Sequence, residues 1–177
     1  DTRGQPATMA LLQHPATAIV DFTGSPAFGQ WLEQNCRDRL VYTETAGCNS
    51  VVIESTDDLQ GMAAAIAHSL CQASAQMCTS VQNIHIPAGG ILAAGAPVSF
   101  EEVAAAIVAE VERHLENPQV LCGTLVDASI LRTIERYRQL AAQHGRLLRD
   151  SGPLDYPEFP HARTASPLIL EVTESAR

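Results

Sequence analysis

The chain has 177 residues, 46% of them hydrophobic, and a formal net charge of −9 with only 11 Lys and Arg. So few cations exclude a phosphate-backbone partner, since nucleic-acid binding rests on Lys and Arg neutralising phosphates. No apolar run approaches the roughly 20 residues that cross a bilayer, and five cysteines without a CxxC pair make neither a disulfide framework nor a zinc site.

The length and the unpaired thiols lead us to expect a single domain over residues 1–177, in the reducing cytoplasm and with no membrane segment. The opening DTRGQPATM lacks the basic-then-apolar order of a secretory signal.

In chain order, Ala18 to Phe22 is strand-like and Gly24 allows a tight turn. Ser25 can cap a helix that Pro26 begins, with Phe28, Trp31 and Leu32 on one face. A second strand is expected over Ser50 to Ile53, followed by a Ser55/Asp58 capping box. The helix it opens carries Met62, Ile66 and Leu70 and should run out just before Cys78.

Asn83 to Ile86 reads as a third strand, and PAGGILAAGAP as a flexible connection. Ser99 and Glu102 make another capping box before a helix with Val103, Ile107, Val111 and Leu115 at helical spacing. A last helix is expected from Ala128 to His144, with Leu131, Ile134, Tyr137 and Leu140 on one face and Gly145 stopping it. The segment RDSGPLDYPEFPHARTAS then reads as a long loop before a strand like SPLILEV. Strands alternating with helices predict an α/β fold with a mainly parallel sheet flanked by helices.

One pairing of residues suggests chemistry. A strand leaving Glu44 and a helix returning antiparallel to it bring the strand's start and the helix's end to one edge, so Glu44 and Cys78 can meet. A thiol beside a carboxylate, with free backbone N–H groups nearby, suits attack on a carbonyl and base-assisted hydrolysis of the thioester. The bland alternative is that Cys78 is a small apolar filler.

Cys36, Cys48, Cys71 and Cys122 are read as structural, with Cys71 facing the core. His68 and His85 read as ordinary core or surface residues, Asp57 and Asp58 as helix-start carboxylates, and the basic cluster from Arg132 to Arg149 as a solvated helix face. No metal site is expected.

Three stretches then carry a resemblance. FTGSPAFG (22–29) resembles F-T-G-S-x-x-x-G, ETAGCN (44–49) resembles E-x-G-G-x-N, and QMCT (76–79) resembles G-Q-x-C, all of the aldehyde dehydrogenase superfamily. Their order and the interval from Glu44 to Cys78 match the family, and the likeness continues through NPQVLCGTLVDASILRTIERYRQLAAQHGRLLRDSG and SPLILEV. VYTETAGCNSVVIESTDDLQGM and QMCTSVQNIHIP are most similar to the aldehyde dehydrogenase of phenylacetic acid degradation.

The resemblance implies the three-layer catalytic domain of that family and an oxidoreductase that turns an aldehyde into an acid with NAD or NADP. Cys78 would be the nucleophile, with its own backbone N–H in the oxyanion site, and Glu44 the base that activates water for deacylation. Gly24, Ser25 and Gly29 would take the cofactor, the glycines letting backbone approach the pyrophosphate at the helix N-terminus. A small-molecule aldehyde is the implied partner, a homo-oligomer the implied assembly.

Ala46 and Ala75 stand where the family has glycine, so both loops are slightly bulkier than usual. The family's upstream cofactor strands, its oxyanion asparagine, its ribose lysine and its E-x-F-G-P lie outside these residues, so the chain is expected to be part of a longer enzyme and inactive alone. Two other readings stand beside this one: a non-catalytic, oligomerising α/β remnant, and a cysteine hydrolase pairing Cys78 with a histidine.

Overall fold

A computed structural model describes residues 6–75, 77–117, 120 and 129–173. The chain divides into two compact units, Asp1–Gly47 and Cys48–Arg177.

The first unit is α1 (Pro6–Gln13), β1 (Ile19–Gly24), α2 (Pro26–Asn35) and β2 (Leu40–Thr45). β1 pairs in parallel with β2, from Ile19 opposite Leu40 to Gly24 opposite Thr45. The strand thus runs two residues past Phe22, and Gly24 is its last paired residue rather than the turn itself. Ser25 caps α2 as expected, its hydroxyl accepting from the Phe28 N–H at 3.4 Å, and Pro26 opens the helix with the backbone angle it prefers. Leu32 and Cys36 bury against Val20, with Phe22, Phe28, Trp31 and Val41 around them. The rings of Phe28 and Trp31 stack at 5.6 Å. The period-2 pleat puts Ile19, Asp21 and Thr23 of β1 with Leu40, Tyr42 and Glu44 of β2 on the opposite, exposed face.

The second unit has β3 (Asn49–Val52), β4 (Ser55–Thr56), α3 (Leu59–Cys71), β5 (Val81–His85), β6 (Ile91–Ala93), β7 (Ala96–Val98), α4 (Phe100–Leu115), α5 (Ser129–His144), β8 (Gly145–Arg149) and β9 (Ile169–Val172). β3 pairs in parallel with β5 and β4 with β6, while β6–β7 and β8–β9 are antiparallel. The described ladders are therefore mainly parallel, in an α/β fold, as the alternation predicted.

α3 and α4 pack on one another through small residues. Ala63, Ala67 and Cys71 of α3 and Val103, Ile107 and Val111 of α4 are buried, joined by Ile53, Ile66 and Ile91. Each buried Ile or Val contributes about 1.5–3 kcal/mol. The Ser99–Glu102 capping box is complete, each side chain bonded to the other's backbone N–H.

Several expectations give way here. The cap of α3 is Asp58, whose carboxylate accepts from the Gly61 N–H at 2.9 Å, because Ser55 and Thr56 are drawn into β4 by pairing with Leu92 and Ala93. PAGGILAAGAP contains a β-hairpin rather than a flexible connection, with Ala94 (φ 48°) and Gly95 (φ 80°) forming its two-residue turn. Two successive positive φ angles are the twist-matched hairpin geometry.

α5 buries Ala141, whereas Leu131 (51%) and Tyr137 (49%) of its expected apolar face are exposed. The cluster from Arg132 to Arg149 is not simply a solvated face. Arg138 bonds Asp150 at 2.7 Å and the Ser151 carbonyl, and Arg149 pairs with Glu112, donating to it at 3.3 Å, and bonds Ser166 at 3.0 Å and the Pro167 carbonyl. These two guanidiniums fasten the proline-dotted loop between β8 and β9, which Thr164 closes through bonds to both the N–H and the carbonyl of Leu154. No described helix is long and apolar enough to cross a membrane.

Candidate active site

Each unit carries one half of the motif set. In the first, a parallel pair ends at Gly24 and Thr45, so Thr23 lies opposite Glu44 and Ser25 follows directly at the start of α2. This is the carboxyl edge of the strands, where open α/β sheets bind ligands. The first turn of α2 holds no acidic residue, and its positive dipole end suits an anion such as a dinucleotide pyrophosphate. Gly29 is buried one turn further on, where a Cβ would come 2.8 Å from Thr45 Cγ2. Its lack of a side chain lets α2 lie directly on β2.

Glu44 is exposed beside these residues, at the end of β2. The strand that pairs with the segment after Cys78 begins only at Asn49, so the start of that strand is occupied by Asn49 rather than by Glu44. The edge-matching geometry read from the sequence applies to Asn49.

In the second unit α3 ends at Cys71, seven residues before Cys78, and a 3₁₀ turn covers Gln72–Ala75. The helix therefore stops well short of Cys78. Cys78 instead lies in a tight turn, Met77 to Ser80, closed by the Ser80 N–H donating to the Met77 carbonyl at 3.0 Å. The Asn49 carboxamide donates one N–H to the Cys78 carbonyl and the other to the Ser80 carbonyl, the latter at 3.1 Å. Only the NH₂ end of the amide can serve two carbonyls, which sets its orientation. The Val81 N–H beyond the turn reaches Ser69 Oγ of α3 at 3.3 Å.

Cys78 is exposed, and Cys36 and Cys71 are buried as expected of structural thiols. Cys48 is not: it is exposed, and its sulfur accepts from Asn83 Nδ2 at 3.2 Å. Gln76 and Cys122 lie outside the described residues, as does Ala128, the expected start of the last helix. His68 faces His114, ring centroids 5.9 Å apart, and His85 ends β5, the strand that leads away from the Cys78 turn. A cysteine hydrolase needs an imidazole at the sulfur, and β5 carries His85 away from it.

Asn49 is the residue that reading of the sequence passed over. It stands as the last letter of ETAGCN, and its place at the start of a strand next to the Cys78 segment was the available signal.

The chain resembles solved structures over nearly its whole length. It is 41% identical to an NAD-dependent aldehyde dehydrogenase from Burkholderia multivorans, with a TM-score of 0.80 over 91% of this chain and 29% of that one. A gamma-glutamyl-gamma-aminobutyraldehyde dehydrogenase from Burkholderia cenocepacia, at 20% identity, shares the fold with a TM-score of 0.70 over 93% of this chain and 33% of that one. Among curated proteins, the N-succinylglutamate 5-semialdehyde dehydrogenase of Erwinia tasmaniensis is 27% identical over 97% of this chain and 34% of its own length. The chain thus spans about a third of the relatives it matches. The aldehyde dehydrogenase family model matches residues 2–177, and the chain belongs to that family.

Proposed function

We propose that the protein to which this chain contributes its catalytic segment oxidises an aldehyde to the acid through a cysteine thioester, with NAD or NADP as cofactor. The observation that carries the reading is the exposed Cys78 on a tight, hydrogen-bonded turn, in a chain whose motifs match the family in order and interval.

Cys78, as thiolate, attacks the aldehyde carbonyl carbon to give a thiohemiacetal, while its own N–H steadies the developing oxyanion. Oxidation of that adduct leaves the thioester. Glu44 takes a proton from water, which adds to the thioester and releases the acid and the Cys78 thiol. A nicotinamide dinucleotide, when bound, supplies the oxidising power. Its pyrophosphate would be held at Gly24, Ser25 and the start of α2, where the positive end of the helix dipole and the lack of a first-turn carboxylate fit the group. Gly29 would let α2 sit close enough to β2 for that edge to form.

The substrate class we favour is a semialdehyde. VYTETAGCNSVVIESTDDLQGM and QMCTSVQNIHIP support one from phenylacetate breakdown, whereas the similarity to the Erwinia tasmaniensis protein supports one that carries a carboxylate. Assaying the complete protein with both, and with NAD and NADP in turn, by absorbance of the reduced nicotinamide, separates the two. Activity is expected to vanish in Cys78→Ala, and undiminished turnover in that variant ends the proposal.

A further inference from the structure

We infer that Asn49 is a positioning residue for the Cys78 nucleophile, an inference that rests on the aldehyde dehydrogenase reading above. Its carboxamide grips the backbone on both sides of Thr79, through the carbonyls of Cys78 and Ser80, from the first residue of the neighbouring strand.

Two bonds from one planar group define more than a distance. Because the NH₂ hydrogens diverge at a set angle, both carbonyls must point to the same side, which fixes the peptide plane that follows Cys78 and limits the directions open to its Cα–Cβ bond. The turn is short, with a backbone bond from Ser80 to Met77, and its far end is held by buried Ser80 and by the Val81 N–H on Ser69 Oγ. The ladder of β3 and β5 also shifts register between Asn49 and Ser50, so regular strand pairing does not extend to the Cys78 turn. Asn49 carries the ordering one step further, from the sheet to the reacting residue.

Asn49 touches the main chain and not the sulfur in these contacts, so it acts through Cys78. Removing the carboxamide should misalign the thiolate with its carbonyl target, and misplacement of about 1 Å lowers a rate on the order of 100-fold. Binding of the dinucleotide, assigned to Gly24, Ser25 and Gly29 in the other unit, should not change. A residue that only laces β3 to β5 would behave differently, since its loss would loosen the whole α3–β5 region and unmask Cys71.

The complete protein should be compared as parent, Asn49→Ala, Asn49→Ser and Asn49→Asp, the last of similar shape but without the NH₂ donors. We expect kcat to fall on the order of 10- to 100-fold in Asn49→Ala and Asn49→Asp, and less in Asn49→Ser, which keeps one donor. KM for the dinucleotide should stay within about twofold, and buried Cys71 should remain closed to iodoacetamide. Parent-like kcat in Asn49→Ala and Asn49→Asp overturns the inference. So does a fall in kcat that comes with labelled Cys71 and a raised cofactor KM, or a failure of all three variants to fold, because each assigns Asn49 to general stability. If Cys78→Ala still turns over, the enzyme reading itself is lost; if Cys78→Ala is inactive and the Asn49 variants are normal, only the role of Asn49 is.

Discussion

Gly29 of α2 and Thr45 of β2 meet with no room for a side chain between them: a Cβ at Gly29 would lie 2.8 Å from Thr45 Cγ2 and 3.6 Å from Thr43 Cβ. The last glycine of FTGSPAFG therefore has a packing task, whatever it does toward a cofactor.

Two effects compete in Gly29→Ala. Alanine gains about 1 kcal/mol of helix preference, but forcing a methyl into a closed contact costs about 1–3 kcal/mol. We expect a net loss of about 1 kcal/mol, read from urea unfolding. With Thr45→Ser, which deletes the offending methyl, the same alanine should become stabilising by about 1 kcal/mol. Strict additivity of the two substitutions would show that the contact does not exist.

Where the sequence was legible, the deciding interactions were local. Ser25 with Pro26, and Ser99 with Glu102, specify helix starts within one turn, so the residues themselves report the outcome. Asp58 displaced the Ser55 box because Thr56 is recruited by Ala93, a partner far along the chain that no local pattern announces. The hairpin at Ala94 was hidden for a related reason: alanine at positive φ is no turn signal, and the pairing of Ile91 with Val98 imposes that conformation. Arg138 and Arg149 looked like a solvated face because their acceptors, Asp150, Glu112 and the carbonyls of Ser151 and Pro167, come together only in the fold. Asn49 belongs to this class as well, its role depending on which strand lies next to Cys78.

The strain at Ala94 gives a stabilising substitution. A non-glycine residue at φ 48° pays the left-handed penalty of about 1–2 kcal/mol. Asn tolerates that conformation, and Ala94→Asn followed by Gly95 makes the favoured Asn-Gly turn. A gain of about 0.5–1 kcal/mol is expected in urea unfolding, and a loss would mean that the hairpin turns elsewhere.

Arg138 sets an acid limit on the loop after β8. Its guanidinium, and next the Ser151 N–H, hold the Asp150 carboxyl below the usual aspartate range. A depressed folded pKa stabilises the fold at pH values above the unfolded one, about 3.9, and that contribution is lost as the pH falls through the folded value. Asp150→Asn should therefore lower the urea midpoint at neutral pH and flatten its decline below about pH 4. An unchanged slope on the acid side would remove Asp150 from the account.

Glu44 separates acylation from deacylation. If it serves as the base for water, Glu44→Gln should leave the first turnover fast and slow the steady state by about 10²- to 10⁴-fold. Rapid-quench mass spectrometry should then find the acyl group on the peptide that carries Cys78. Equal slowing of the first and later turnovers would place the role of Glu44 before the thioester.

Thiol labelling tests the two classes of cysteine within the folded protein. Cys48 and Cys78 are exposed, while Cys36 and Cys71 are 5% and 1% exposed in separate hydrophobic clusters. Iodoacetamide reaches a buried thiol only when its surroundings open, so Cys36 and Cys71 should react more than about 100-fold slower than Cys78 until denaturant is added. Cys48 is the internal control, since it is likewise exposed and its sulfur accepts a bond from Asn83. A Cys78 rate well above that of Cys48 marks a thiol activated beyond exposure, as a nucleophile requires. A Cys78 rate no higher than that of Cys36 would leave it an ordinary thiol and favour the non-catalytic reading.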